Sequence, residues 1–131
     1  MTESLTLAPA RDEALDVRRL YEVLEQRFNG KTWSLHELMI GFTGDVGHIG
    51  RLLLAHDGTW AIDGDADAEL KHKLAEALWW VFVLADRLDI DINQAFTGTM
   101  ATIRAGLDET IARTAPTEPS QAEPRTSGED S

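Results

Sequence analysis

Residues 70–88 read LKHKLAEALWWVFVLADRL, and this stretch decides the fold of the chain. Its apolar residues recur every three or four positions, which is the period of an α-helix. From Ala77 to Ala85 the helix is apolar all round, so we expect it to be central in the fold or covered by another subunit. One predicted face carries Leu70, Leu74, Ala77, Leu78, Val81, Leu84, Ala85 and Leu88, and a second carries Trp79, Trp80 and Val83.

Two helices are predicted before this stretch. The first has an apolar stripe and ends at Asn29-Gly30, a common helix stop. The second opens at Ser34 and Glu37, which are spaced as a capping box. It contains four glycines, each of which weakens a helix interior by up to about 1 kcal/mol relative to Ala; close packing is the expected compensation and local unwinding the alternative. The first stripe is Val17, Leu20, Leu24 and Phe28 beside Tyr21; the second is Leu38, Phe42, Val46, Ile49, Leu52 and Leu53; the glycines are Gly41, Gly44, Gly47 and Gly50.

A loop and a fourth helix complete the pattern. The loop over residues 56–67 has alternating Asp residues, but it lacks the Gly and Glu of a calcium loop, so an EF-hand is rejected. Asp67 is predicted to cap the third helix. The fourth helix opens with a second capping box, Asp91 to Gln94. Its stripe is Phe96, Met100, Ile103, Leu107 and Ile111.

Composition limits the function. The chain has 131 residues, no Cys and a net charge of −11. One domain is expected, disulfide and zinc-thiolate frameworks are excluded, and such a charge disfavours nucleic acid. The longest apolar run is far shorter than the roughly 20 residues of a membrane span, and the N-terminus does not resemble a signal peptide. The sequence therefore predicts a cytoplasmic all-α domain over residues 11–113, with residues 1–10 flexible and an acidic, disordered tail over 114–131.

Four polar residues lie on or beside the predicted apolar faces. Asp45 and His48 are three apart on the second helix, and His72 and Glu76 are four apart on the third. One hypothesis is a metal site built across two helices. The alternative is that Asp45 pairs with a nearby Arg or Lys, that His48 is exposed, and that His72 and Glu76 are solvated. A carboxylate beside an apolar stripe needs a partner in either case.

These segments together resemble the MazG-like, all-α nucleoside triphosphate pyrophosphohydrolases. The matching stretches are residues 44–49 (GDVGHI), 74–78 (LAEAL) and 84–91 (LADRLDID). The resemblance covers about residues 14–107 and also includes the helix order and the position of the loop. It implies a four-helix bundle completed by dimerisation, which hydrolyses an NTP or dNTP to a monophosphate and pyrophosphate with Mg²⁺.

The family motifs are altered here. Members carry Glu-Glu-x-x-Glu on the second helix and Glu-x-x-Asp on the third, and these acids hold the cation. By resemblance Asp45 and Glu76 keep acids at two ligand positions, whereas His48 and Lys73 replace two others. The later Lys-Met-x-x-Asn-x-x-Arg pattern survives only around Met100 and Arg104.

Two functional hypotheses follow from the altered motifs. In the first, Asp45, Glu76, His48 and His72 hold a divalent cation, while Lys73 and Arg104 contact the triphosphate; imidazole ligands then favour Mn²⁺ or another transition ion over Mg²⁺. In the second, the chain is a catalytically inactive MazG-like module that oligomerises and binds a nucleotide or protein partner.

A homo-oligomer, most simply a dimer, is expected from the third helix. The second apolar face of that helix, formed by Trp79, Trp80 and Val83, is wide for one layer of four helices, and such faces often mark interfaces. Family resemblance points to the same state.

Residues 114–131 are predicted to be dispensable for stability, because their Pro-rich polar composition provides no helical stripe. Truncation after Arg113 should leave the thermal midpoint nearly unchanged in a calorimetric scan. A fall of more than about 5 °C, which corresponds to roughly 1 kcal/mol in a domain of this size, would show that the tail docks on the helices.

Overall fold

The computed structural model describes residues 6–116, and within them all regular structure is helical. The helices are α1 (Ala8–Asn29), α2 (Leu35–His56), α3 (Ala66–Arg87) and α4 (Ile92–Arg113). The all-α prediction is therefore confirmed. No helix in this part of the chain combines the length and apolarity needed to cross a membrane. Most of the predicted tail and the first five residues lie outside the described range.

Local sequence signals explain the helix boundaries. Ser34 accepts a hydrogen bond from the Glu37 amide, and the Glu37 carboxylate accepts one from the Ser34 amide, which confirms the capping box. Gly30 takes a left-handed conformation (φ 75°) just past α1, as expected for a helix stop. The cap of α3 is Asp65 and not the predicted Asp67, because Oδ1 of Asp65 accepts hydrogen bonds from the backbone amides of Asp67 and Ala68.

The chain divides into two compact units, the first ending at Ala95 and the second starting at Phe96. In the first unit α3 is the central helix, since both α1 and α2 pack against it. Its core joins Leu38, Trp80 and Val83, with Trp33 and Phe42 packed around them. The second unit contains the rest of α4.

The buried face of α3 differs from the predicted one. Trp80, Phe82 and Val83 are buried, whereas Leu74 and Leu78 of the predicted core stripe are more than half exposed. Trp79 is half-buried, and its Nε1–H donates to the Ala14 carbonyl at 2.9 Å. The expectation that Trp79, Trp80 and Val83 form an uncovered face is therefore wrong, because α1 and α2 cover them within one chain.

The buried side of α1 is also different from the side that its apolar pattern predicts. Arg18 is 5% exposed and its guanidinium binds the Glu25 carboxylate through two hydrogen bonds of 2.8 and 3.0 Å. Glu25 also accepts the Trp33 amide at 2.8 Å. This buried pair joins α1 to the start of α2, whereas the predicted core residues Leu20 and Phe28 are exposed.

One glycine of α2 is required by packing. A Cβ at Gly41 would lie 2.6 Å from Cη2 of Trp80, whereas Cβ atoms at Gly44, Gly47 and Gly50 would have no neighbouring atom within 4 Å. Helix α2 is nevertheless continuous from Leu35 to His56. Close packing thus compensates at Gly41 alone, and the unwinding alternative is wrong.

Alanine substitutions at Gly41 and Gly44 should have opposite effects. Gly41→Ala forces the Trp80 ring to move and should lower the free energy of unfolding by about 1–3 kcal/mol. Gly44→Ala meets open space and should raise it by up to about 1 kcal/mol through helix propensity. Urea denaturation of both variants measures the difference, and equal effects would show that Trp80 does not need the space at Gly41.

Candidate functional site

The candidate site lies where α2 crosses α3, beside the Trp80 ring. The bare backbone at Gly41 admits the indole, and its Nε1–H then donates to Oδ2 of Asp45, one turn further along α2, at 2.8 Å. Phe42 and Trp33 stack on the same indole, with centroid distances of 6.4 and 6.5 Å. The tryptophan therefore holds one oxygen of Asp45 in a fixed position.

The second oxygen of Asp45 faces a lysine. Nζ of Lys73 lies 3.3 Å from Oδ1 of Asp45, and both side chains are 23% exposed. Burial by itself would raise the pKa of Asp45. The hydrogen bonds from Trp80 and Lys73, together with the charge of Lys73, outweigh burial and hold that pKa below its usual 3.8. Asp45 is consequently ionised at neutral pH, and its predicted pairing with a nearby basic residue is confirmed.

Lys73 also contacts a second acid. Its Nζ lies 3.0 Å from Oε1 of Glu76, one turn along α3. The hydrogen bond to Glu76 raises the pKa of Lys73 above its usual 10.5, burial opposes this shift, and the bond to Asp45 adds to it. The ammonium is therefore charged at neutral pH and bridges carboxylates from two helices. We call Asp45, Lys73 and Glu76 the ionic triad.

The two histidines predicted as metal ligands have different partners, and only His72 contacts a member of the triad. Nε2 of His72 is 3.5 Å from Oε2 of Glu76, but the His72 side chain is 70% exposed. His48 turns to Glu69, with 3.4 Å between Nε2 and Oε1, and is exposed as the alternative interpretation predicted. Arg104 is exposed on the part of α4 that belongs to the second unit.

The donor set does not fit a divalent cation in this arrangement. A cation bridging the two carboxylates would occupy the position of the Lys73 ammonium, which carries a charge of the same sign. Among residues 6–116 no group of three or more His, Asp or Glu side chains is arranged to hold a metal ion. Mg²⁺ binds through oxygen atoms in near-octahedral geometry, and here two carboxylates already share an internal cation.

Lys73 and Asp45 are not suited to acid–base catalysis near neutral pH. An efficient general base titrates near the working pH. The pKa of Lys73 is raised and that of Asp45 is lowered, so neither group changes protonation near neutrality. Both pKa shifts result from the interactions that favour the charged forms of Asp45 and Lys73. Chemically, the arrangement can bind charge and cross-link two helices.

Sequence reasoning missed three structural features. It identified Trp80 as apolar surface, whereas its N–H anchors Asp45. It assigned Lys73 to phosphate, although Lys73 and Trp80 are seven residues apart and therefore share a face of α3. The Arg18–Glu25 pair was also missed; its signal is the same seven-residue spacing on α1.

Comparison of the chain with models of known protein families, with curated proteins and with solved structures found no match. The MazG-like resemblance therefore remains a prediction that depends on the motifs quoted above.

Lys73→Met tests the ionic triad through the pH dependence of stability. The variant keeps the aliphatic stem but removes the shared counter-ion, so the free energy of unfolding at pH 7 should fall by about 1 kcal/mol. Because the folded-state pKa of Lys73 is raised, its contribution is complete below pH 10.5 and is lost as the pH rises through the folded-state value. Urea denaturation at pH 7 and at about pH 12 should show the difference shrinking.

The matched control is Lys71→Met, because Lys71 is an exposed lysine on the same helix. Its stability should match that of the wild type within the small range typical of surface charges. A Lys73→Met variant as stable as the wild type at pH 7 would show that the triad contributes nothing to the fold.

Proposed function

We propose that the chain is a catalytically silent MazG-like helical module, acting in the cytoplasm by binding a nucleotide or protein partner without hydrolysis. The observation that carries the proposal is the Lys73 ammonium, 3.3 Å from Asp45 and 3.0 Å from Glu76. In the family resembled, acids at these positions hold the cation on which pyrophosphate release depends. Here the ammonium of Lys73, which is part of the chain itself, lies between Asp45 and Glu76.

Charge and ligand chemistry support this proposal. Replacing two family acids by His48 and Lys73 removes two negative charges and adds one positive charge. Lys73 offsets one of the two negative charges of Asp45 and Glu76, so their attraction for a divalent ion is reduced. His48 lies with Glu69 and does not extend the ligand set around Asp45.

A second candidate function is NTP or dNTP pyrophosphohydrolysis with altered metal dependence. It is favoured by one feature: carboxylates from α2 and α3 converge on a single nitrogen atom. This candidate requires Lys73 to swing away toward a triphosphate and an external ion to take the place of its ammonium between the two acids. Since His72 is adjacent to Glu76, this candidate expects Mn²⁺ or another transition ion to act better than Mg²⁺.

A pyrophosphate-release screen separates the two candidates. The full chain is incubated with each NTP and dNTP, with Mg²⁺ and Mn²⁺ supplied separately, and no release above the protein-free background is expected. Lys73→Glu combined with His48→Glu restores the acids and should confer binding of Mg²⁺ in calorimetry. Because activity depends on the whole ligand set, any release gained should also favour Mg²⁺.

Two variants make a positive result interpretable. Release by the wild type that disappears in both Asp45→Ala and Glu76→Ala would overturn the silent-module proposal and establish the hydrolase. Release that survives in Asp45→Ala would show that the active site lies elsewhere on the chain. Circular dichroism of each variant checks that loss of release is not loss of fold.

A further inference from the structure

The loop between α2 and α3, residues 57–65, is tied back to the helix that precedes it. The Trp60 amide donates to the Leu54 carbonyl at 3.1 Å. The guanidinium of Arg51, one turn earlier on α2, donates to the Trp60 and Ala61 carbonyls at 2.8 and 3.0 Å. We call residues 57–65 the strap, because these contacts fasten the loop along the end of α2.

Arg51 also holds the side chain of the strap's tryptophan. Its guanidinium lies 4.5 Å from the centroid of the Trp60 ring, a cation–π contact, although the residue is 62% exposed. The position of the ring therefore depends on Arg51 and not on burial in the core. Because an arginine stays protonated at every working pH, this attachment does not respond to pH.

The two ends of the strap are joined by a different contact. Nδ1 of His56 lies 2.6 Å from Oδ1 of Asp67. His56 is the last residue of α2, and Asp67 is in the first turn of α3, so each charge also suits the dipole of its own helix end. A hydrogen bond between two ionised groups is stronger than one with a neutral imidazole. We call the His56–Asp67 contact the clasp.

The charges around His56 give the clasp its pH dependence. The hydrogen bond to Asp67 raises the pKa of His56 above its usual 6.5, the charge of Asp67 adds to this shift, burial opposes it, and the charge of Asp57 adds to it. The Asp57 carboxylate itself accepts the Thr59 amide at 2.9 Å. Since the pKa of His56 is raised, the contribution of the clasp is complete below pH 6.5 and is lost as the pH rises through the folded-state value.

We propose that the strap is a pH-sensitive element, clasped at its ends when His56 is protonated and released at its α3 end when His56 loses its proton. Arg51 is the permanent attachment and His56 the titrating one, so the two states differ in a single contact. A local change of charge that shifts a two-state segment is a common form of pH switch. The device goes beyond the proposed function and does not depend on it, because none of its residues belongs to the ionic triad.

Nuclear magnetic resonance titration of the histidines is the first test. The signal of His56 is assigned by its loss in His56→Gln. Its midpoint should lie above 6.5 in the wild type and fall in Asp67→Asn. In the wild type the amide signals of residues 62–66 should change with the same midpoint. The matched control is Asp86→Asn, an exposed aspartate near the other end of α3, about 28 Å from Asp67 along the helix axis, which should leave the His56 midpoint unchanged.

Limited proteolysis measures release of the strap. Chymotrypsin cleaves after aromatic residues, and mass spectrometry isolates the cut after Trp60. The ratio of the cleavage rates of Asp67→Asn and wild type removes the protease's own pH dependence. This ratio should exceed one at about pH 6, where His56 is mostly protonated, and approach one above its midpoint. By linkage its fold-change should match the ratio of the two acid dissociation constants of His56.

Arg51→Met separates the two attachments. It removes the permanent one, so cleavage after Trp60 should be faster by the same factor at every pH, while the titration of His56 keeps its shape. Circular dichroism checks that each variant retains the helices of the wild type.

Either of two results would overturn the proposal. One is a His56 midpoint that is the same in the wild type and in Asp67→Asn, because the clasp would then not sense protonation. The other is a ratio of cleavage rates that does not change with pH, which would show that the strap opens independently of the clasp.

Discussion

The packing of the Trp80 indole against the bare backbone at Gly41 is the contact on which the rest of the first unit depends. It brings α2 and α3 close enough for the indole N–H to reach Asp45 at 2.8 Å. The Asp45 side chain is only 23% exposed at this position, so its charge needs a cation, and Lys73 on the facing helix supplies one. The geometry of the candidate site is therefore a consequence of core packing.

The same physical rule operates at both inward-facing charged groups. A charge removed from water must be paired, because an uncompensated buried charge is strongly destabilising. Lys73 is shared between two carboxylates, and Arg18 is held by Glu25 and approached by Glu22 at 3.3 Å. Both clusters join different parts of the chain: the triad links α2 to α3, and Glu25 links α1 to the Trp33 amide. A residue pattern that resembles a metal centre can thus serve as a cross-link.

Many large apolar side chains of the described helices are exposed. The helices of the first unit bury a modest core around Leu38, Trp80 and Val83, while large apolar side chains such as Leu20, Phe28 and Ile40 stay exposed. Burying such surface is the main favourable term in association.

The sequence by itself determined what depends on neighbouring residues: four helices, their approximate ends, the Ser34–Glu37 capping box and the all-α class. It also predicted that Asp45 has a partner, because a carboxylate beside an apolar stripe is costly to leave unpaired. That partner is Lys73, which lies 28 positions further along the chain. Helical periodicity contains no information on residue pairs so far apart in the sequence. The assignment of Asp67 as a cap failed at shorter range, since α3 begins earlier, at Ala66, where Asp65 accepts from the amides of Asp67 and Ala68.

Only the tertiary structure decided which face of each helix is covered. On α1 and α3 the apolar pattern offers more than one possible inner face, and the choice follows from neighbouring segments. Glu25, which accepts from the Trp33 amide, pairs with the buried Arg18, and the Trp80 ring packs into the space at Gly41. Periodicity measures how apolar residues are spaced along one helix. Burial is set by the helices that pack against it, and their placement depends on contacts between residues far apart in the chain.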